Sequence, residues 1–126
     1  MRKILVVDDI EDARDVLSRL LRLGGFTTVT AEDGISAIKS LEMDHPDLVL
    51  LDLMMPRMNG VQVLETMRQD PRWKNVPVVL LTAVSDGPLI ADAARYGIQD
   101  FILKGAVNGL TLIERVARNL PPDQVQ

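Results

Sequence analysis

With 126 residues, 47% of them hydrophobic and 25% charged, the chain suits one globular domain with one real core. A formal net charge of −4 argues against a nucleic-acid footprint or an anionic-membrane patch, and the lack of cysteine excludes a disulfide scaffold and a thiolate metal site. The first apolar run, Ile4 to Val7, is too short for a signal sequence or a membrane span, so a cytoplasmic location is expected.

Strand and helix patterns alternate from the start. Ile4-Leu5-Val6-Val7 reads as a short strand ending in Asp8-Asp9. Ala13, Val16, Leu17, Leu20 and Leu21 then recur at helical spacing and predict one apolar stripe. Glu11 and Asp12 near its start and Arg19 and Arg22 near its end complement the helix dipole, and Gly24-Gly25 stops it. Phe26 to Thr30 is a second, more polar strand of the kind found at a sheet edge. Asp33 is placed to cap a second helix with Ile35, Ala37, Ile38 and Leu41 inward.

Leu48-Val49-Leu50-Leu51 is apolar without alternation, the pattern of a strand buried on both faces of a parallel sheet, and it ends at Asp52. A loop through Pro56 and Asn59-Gly60 leads to a helix up to about Gln69, with Val61, Leu64 and Met67 inward; Asp70-Pro71 ends it. Val78 to Leu81 is another fully apolar strand, ending in Thr82. A fourth helix starts near Pro88 and stops at Gly97. Phe101-Ile102-Leu103 is the fifth strand, ending at Lys104. The last helix carries Leu112, Ile113, Val116 and Leu120 up to Pro121-Pro122. Five such repeats predict an α/β fold: a doubly wound parallel sheet with right-handed crossovers, flanked by helices.

Four of the five strands deliver polar residues at their C-terminal ends: Asp8-Asp9, Asp52, Thr82 and Lys104. Each alone reads as a cap, a turn residue or a solvated lysine. Together they converge on the sheet edge where open α/β folds place ligands. Carboxylates this close repel one another unless a cation neutralises them, and all-oxygen ligation points to a hard ion such as Mg²⁺. A lysine and a hydroxyl beside such a site suit phosphoryl transfer, with Asp52 as the nucleophile.

Val6-Val7-Asp8-Asp9, Leu50-Leu51-Asp52-Leu53-Met54-Met55-Pro56, Leu80-Leu81-Thr82-Ala83 and Phe101-Ile102-Leu103-Lys104 resemble the motifs of receiver domains of bacterial two-component response regulators. The resemblance implies a flavodoxin-like strand order 2-1-3-4-5 over residues 1–120, with 121–126 as a C-terminal tail or the start of a linker. It implies that Asp52 accepts phosphoryl from a histidine kinase or a histidine phosphotransfer protein. Asp9, Asp52 and the Met54 backbone carbonyl would bind Mg²⁺ directly, with Asp8 helping through water. Lys104, Thr82 and the Ala83 N–H would contact the phosphoryl group, and Phe101 would occupy the aromatic switch position, although a purely core role for it fits as well. Positions flanking the path of the hydrolytic water would be Met54 and Val84, whose apolar side chains predict a long-lived phosphorylated state. The output would be a change in the face formed by the fourth helix, fifth strand and fifth helix. That face would contact a downstream protein or fused effector domain. Charges at Asp92, Arg95, Asp100, Arg115 and Arg118 would also permit a phosphorylation-linked homodimer.

One departure stands out: Gly105 follows Lys104 where the family usually has proline, so a cis peptide there is no longer the default. Rival readings fit less well. A haloacid-dehalogenase-type phosphatase needs a second aspartate at the position of Met54. A flavodoxin-type FMN carrier needs a phosphate loop where Asp8-Asp9-Ile10-Glu11-Asp12 would repel it. A degenerate receiver, acting only as a protein-interaction module, would be expected to lack some of these residues. His45 sits in a short loop with no helical context for phosphotransfer. Trp73 is expected to pack over its loop, and Met54, Met55 and Met58 read as loop and core filler.

Overall fold

The computed structural model describes residues 2–83 and 87–122. The strands are β1 (Lys3–Val7), β2 (Thr27–Ala31), β3 (Leu48–Asp52), β4 (Val78–Thr82) and β5 (Asp100–Leu103). They alternate with α1 (Glu11–Leu23), α2 (Gly34–Asp44), α3 (Gly60–Gln69), α4 (Gly87–Ala94) and α5 (Gly109–Asn119). All strand pairs are parallel and the sheet order is β2-β1-β3-β4-β5. The parallel, doubly wound sheet is the one the strand–helix alternation predicts, and its flavodoxin-like order is the one the family resemblance implies. Among the described residues no helix is long and apolar enough to cross a membrane.

The unbroken apolar runs are explained by cover on both faces. Alternate residues of the central strands point to opposite sides. Leu5, Val7, Val49, Leu51, Val78 and Leu80 join Ala37, Leu41, Val63, Leu64, Met67 and Ala93 under α2, α3 and α4. Ile4, Val6, Leu48, Leu50, Val79 and Leu81 join Leu17, Leu21, Leu112 and Val116 under α1 and α5. Each fully buried Val, Leu, Ile or Met side chain contributes about 1.5–3 kcal/mol, so β3 and β4, buried along their whole length, anchor the sheet.

Some side chains turn differently from the helical-stripe expectation. Val16 and Ile35 are exposed. On α1 the contact line is Leu17 and Leu21, which turns Val16 to the side. On α2 the inward line is Gly34, Ala37 and Leu41; because Gly34 packs flat against Met58, Ile35 is rotated out. Trp73 lies within the core under α2–α4 rather than over its loop, with the Arg72 guanidinium 4.2 Å above its ring. His45 takes a left-handed backbone as the C-cap of α2. Arg68 donates to the carbonyls of Val76, Lys74, Tyr96 and Gly97 and so ties the loops before β4 and β5 to α3.

Candidate functional site

Strand register sets the site. Val7 pairs with Leu51, so Asp8 and Asp52 emerge side by side from β1 and β3. Asp52 pairs with Leu81 and Thr82 with Leu103, so Thr82 and then Lys104 stand one and two steps further out. Lys104 reaches back: its Nζ lies 3.2 Å from Asp52 Oδ2 and 3.1 Å from Asp8 Oδ2. Asp8, Asp52 and Thr82 are buried, whereas Asp9 and Ala83 are exposed.

Asp8 also organises the chain beyond it. Its Oδ1 accepts the Ile10 N–H at 3.0 Å, while Arg14 donates to its backbone carbonyl at 2.8 Å, which fixes the start of α1 without a side-chain cap at Ile10. Its Oδ2 is buried, and the Lys104 ammonium at 3.1 Å is its charged neighbour. Asp52 Oδ1 accepts the Met54 N–H at 3.3 Å. One oxygen each from Asp8, Asp9 and Asp52 lie within 4.8 Å of one another. An all-oxygen acidic trio, two of its members buried, fits a hard cation, and that cluster could hold a metal.

Electrostatics at Asp52 are unusual for a carboxylate. Burial pushes its carboxyl up to about 6; Lys104 pulls it down and Asp8 pushes it up, and burial prevails. Burial alone would lower the Lys104 ammonium, but Asp52 and Asp8 outweigh it and its pKa is raised. Lys104 is therefore a stable positive charge at the mouth of the site.

The remaining expected residues are more dispersed. The Met54 side chain is exposed beside the site, Met55 is core, and Met58 is partly buried. Val84 lies outside the described residues. Phe101 is 45% exposed, which rules out a purely core role. Lys104-Gly105-Ala106 forms a short 3₁₀ turn, and among the described residues no peptide bond is cis. Asp92 and Arg95 form an exposed pair at 3.9 Å. Asp100 is gripped within the chain by Arg115, Arg118 and Asn119, and the hydrogen bonds from Arg115 take the lead in lowering its pKa to about 2. Two features escaped the sequence reading. Gly60 packs so tightly that a Cβ would come within 2.5 Å of the Asp52 carbonyl, and Arg57 forms an ion pair with Asp33. The first had a signal in the Asn59-Gly60 pair; the second had none. A cleft between α1 and the segment after β5 opens on the site, lined by Asp8, Asp12, Val16, Leu20, Lys104 and Val107.

Residues 4–117 match the family described as response regulator receiver domain. The chemotaxis protein CheY of Pseudomonas aeruginosa is 38% identical over 103 residues, 81% of this chain and 83% of that protein. The DNA-binding response regulator MtrA of Mycobacterium tuberculosis is 41% identical over 103 residues, 82% of this chain but 44% of MtrA. The chain thus spans less than half the length of several curated relatives it matches. Among solved structures, Vibrio cholerae CheY4 superposes with a TM-score of 0.88 at 28% identity, covering 95% of this chain and 99% of that one. The receiver domain of NtrX from Brucella abortus gives 0.84 at 33% identity, covering 93% and 97%. With its strand order, its acidic edge and a family match along nearly its whole length, the chain belongs to the receiver domains of two-component response regulators, which are signalling domains and not metabolic enzymes.

Proposed function

We propose that this receiver accepts a phosphoryl group on Asp52 and uses it to reshape the face made by α4, β5 and α5. The observation that carries the reading is the buried Asp52 carboxylate bracketed by Lys104, whose ammonium also meets Asp8. An Asp52 oxygen attacks the phosphorus of a phospho-imidazole on a histidine kinase or histidine phosphotransfer protein. The P–O bond forms, the P–N bond breaks, and its electron pair leaves with the imidazole. With its pKa near 6, Asp52 is mostly ionised at neutral pH yet more basic than an ordinary aspartate, which suits a nucleophile. Lys104, the Thr82 hydroxyl and the Ala83 N–H receive the phosphoryl oxygens. Asp8, Asp9, Asp52 and the Met54 carbonyl are the groups that would hold Mg²⁺, which when bound would supply positive charge to offset that of the phosphoryl group. The cleft beside α1 gives the donor a way in.

A bound phosphoryl group adds about −1.5 to −2 charge beside Lys104 and Thr82. That charge draws both inward and shifts α4, β5 and the exposed Phe101, the surface offered to a downstream protein, a fused effector or a second phosphorylated copy. Residues 1–120 form the receiver unit in this reading, and 121–126 a tail or the start of a linker. Met54 and Val84 cannot orient a hydrolytic water, so the receiver's own dephosphorylation is slow, and Met54→Asn with Val84→Glu speeds it.

Incubation with acetyl phosphate and Mg²⁺, followed by intact-mass measurement, tests the assignment. One acid-labile phosphoryl group is expected on wild type and none on Asp52→Asn or after chelation. An unlabelled wild type would return the protein to a phosphorylation-independent interaction module.

A further inference from the structure

We propose that Asp33 and Arg57 act as a latch that positions the β3–α3 loop, and with it the Met54 backbone beside Asp52; this rests on the proposed reading of Asp8, Asp9, Asp52 and the Met54 carbonyl as the cation site. Arg57 has φ of 67°, in the left-handed region that a side chain disfavours. A residue stays there only where its surroundings over-determine it. Here the Arg57 guanidinium Nη2 lies 2.9 Å from Asp33 Oδ2. The other Asp33 oxygen accepts the Ser36 N–H at 2.8 Å and its hydroxyl at 2.7 Å, closing a capping box on α2. One buried carboxylate therefore joins the first turn of α2 to the outer end of the loop. The Ser36 hydrogen bonds, ahead of the Arg57 charge, keep it below the usual carboxylate range and so ionised at neutral pH.

The backbones meet at the same place. Gly34 sits so close to the loop that a Cβ would come within 2.4 Å of the Met58 carbonyl. The loop's other end is closed beneath Asp52, where the Gly60 N–H donates to the Leu53 carbonyl at 3.0 Å. Met54 lies between these two fastenings, with its N–H on Asp52 Oδ1. Mg²⁺ demands near-ideal octahedral geometry, so a small displacement of the Met54 carbonyl weakens its hold. Arg57 is 67% exposed, and an ion pair with one end in water adds little to global stability. The latch therefore acts on position. Asp33 and Arg57 touch no reacting atom; they are positioning residues.

The test uses Arg57→Gly, which keeps the left-handed backbone accessible while removing the cation, and Asp33→Asn, which keeps an oxygen for Ser36. The double variant and Arg57→Lys complete the set. Mg²⁺ affinity is read from the Leu53 and Met54 amide shifts, and Asp52 labelling by acetyl phosphate is measured at saturating and at limiting Mg²⁺. Each single variant is expected to bind Mg²⁺ about three- to tenfold more weakly, with little change in melting temperature and near-wild-type labelling at saturating Mg²⁺. The double variant should be no weaker than the singles, and Arg57→Lys should recover most of the affinity. Affinities within about 1.5-fold of wild type, or losses that add in the double variant, would overturn the latch while leaving the site intact. A wild type whose Leu53 and Met54 amides ignore Mg²⁺ would remove the underlying reading, and the latch with it.

Discussion

The corners of the sheet's C-terminal edge fall into two kinds. On the β2–β3 side the loops are fitted to one another. Asp33–Ser36 and Asn59–Gln62 form capping boxes, Gly34 lies against the Met58 carbonyl, and Gly60 lies against the Asp52 carbonyl. On the β5 side the cover is thin. Ile102 is the one buried residue of β5, Ala93 the one buried residue of α4, and Phe101 faces solvent. Gly105 has neither a positive φ nor, among the described residues, any atom within 4 Å of where a Cβ would stand. Low apolar burial marks regions that open and rearrange at little cost. In the proposed switch the contrast separates holding from moving: the closely packed side carries Asp52, and the thinly covered side carries Lys104 and Phe101.

The sharpest way to break this contrast is to add one methyl group on each side. In Gly60→Ala the new carbon meets backbone atoms of Asp52 and Leu53, which no rotamer can clear. A loss of about 2–4 kcal/mol in urea unfolding is expected, together with impaired labelling of Asp52. Gly105→Ala meets nothing and restricts the unfolded chain, so its stability should change by less than about 1 kcal/mol. Similar losses in the two variants would dissolve the distinction.

A second comparison sets Asp52 against Asp100. Burial raises the Asp52 carboxyl to about 6, so the folded state resists its ionisation. That cost is absent below about pH 4, grows as pH rises through 6, and is then constant. Asp52→Asn should therefore stabilise the fold by about 1–3 kcal/mol at pH 7 and by almost nothing at pH 4, as read from urea midpoints against pH. Asp100 is the reverse case. Its carboxyl is lowered to about 2 by Arg115 first, so its stabilisation is full above about pH 4 and fades as pH falls toward 2. Asp100→Asn should cost about 1 kcal/mol at pH 7 and little at pH 2, the smaller effect because the Arg118 side chain that pairs with it is two-thirds exposed to water. Parallel pH profiles for the two variants would contradict the opposite environments assigned to them.

Much of this was legible in the sequence. The unbroken apolar runs ending in Asp52 and Thr82 mark buried parallel strands, and the strand ends locate Asp8, Asp52 and Lys104 on one edge because a parallel sheet brings all its C-terminal ends together. What periodicity could not reveal was rotation and reach. Val16 and Ile35 belong to apolar stripes by spacing, yet a residue one helical step from the contact line faces out. The Asp33–Arg57 pair joins residues far apart in the chain, and nothing in Pro56-Arg57-Met58 announces a left-handed backbone. The exposure of Phe101 depends on how little α4 covers, which its sequence of small residues only hints at.

The division of labour is tested most directly by hydrogen exchange of wild type and Asp52→Asn, in Mg²⁺ with and without beryllofluoride as a phosphoryl mimic. In wild type the mimic should change exchange across residues 87–119 and leave the capping-box amides of Ser36 and Gln62 unaltered. Asp52→Asn should show no change anywhere. A response spread equally over both sides, or one that persists in Asp52→Asn, would contradict the account.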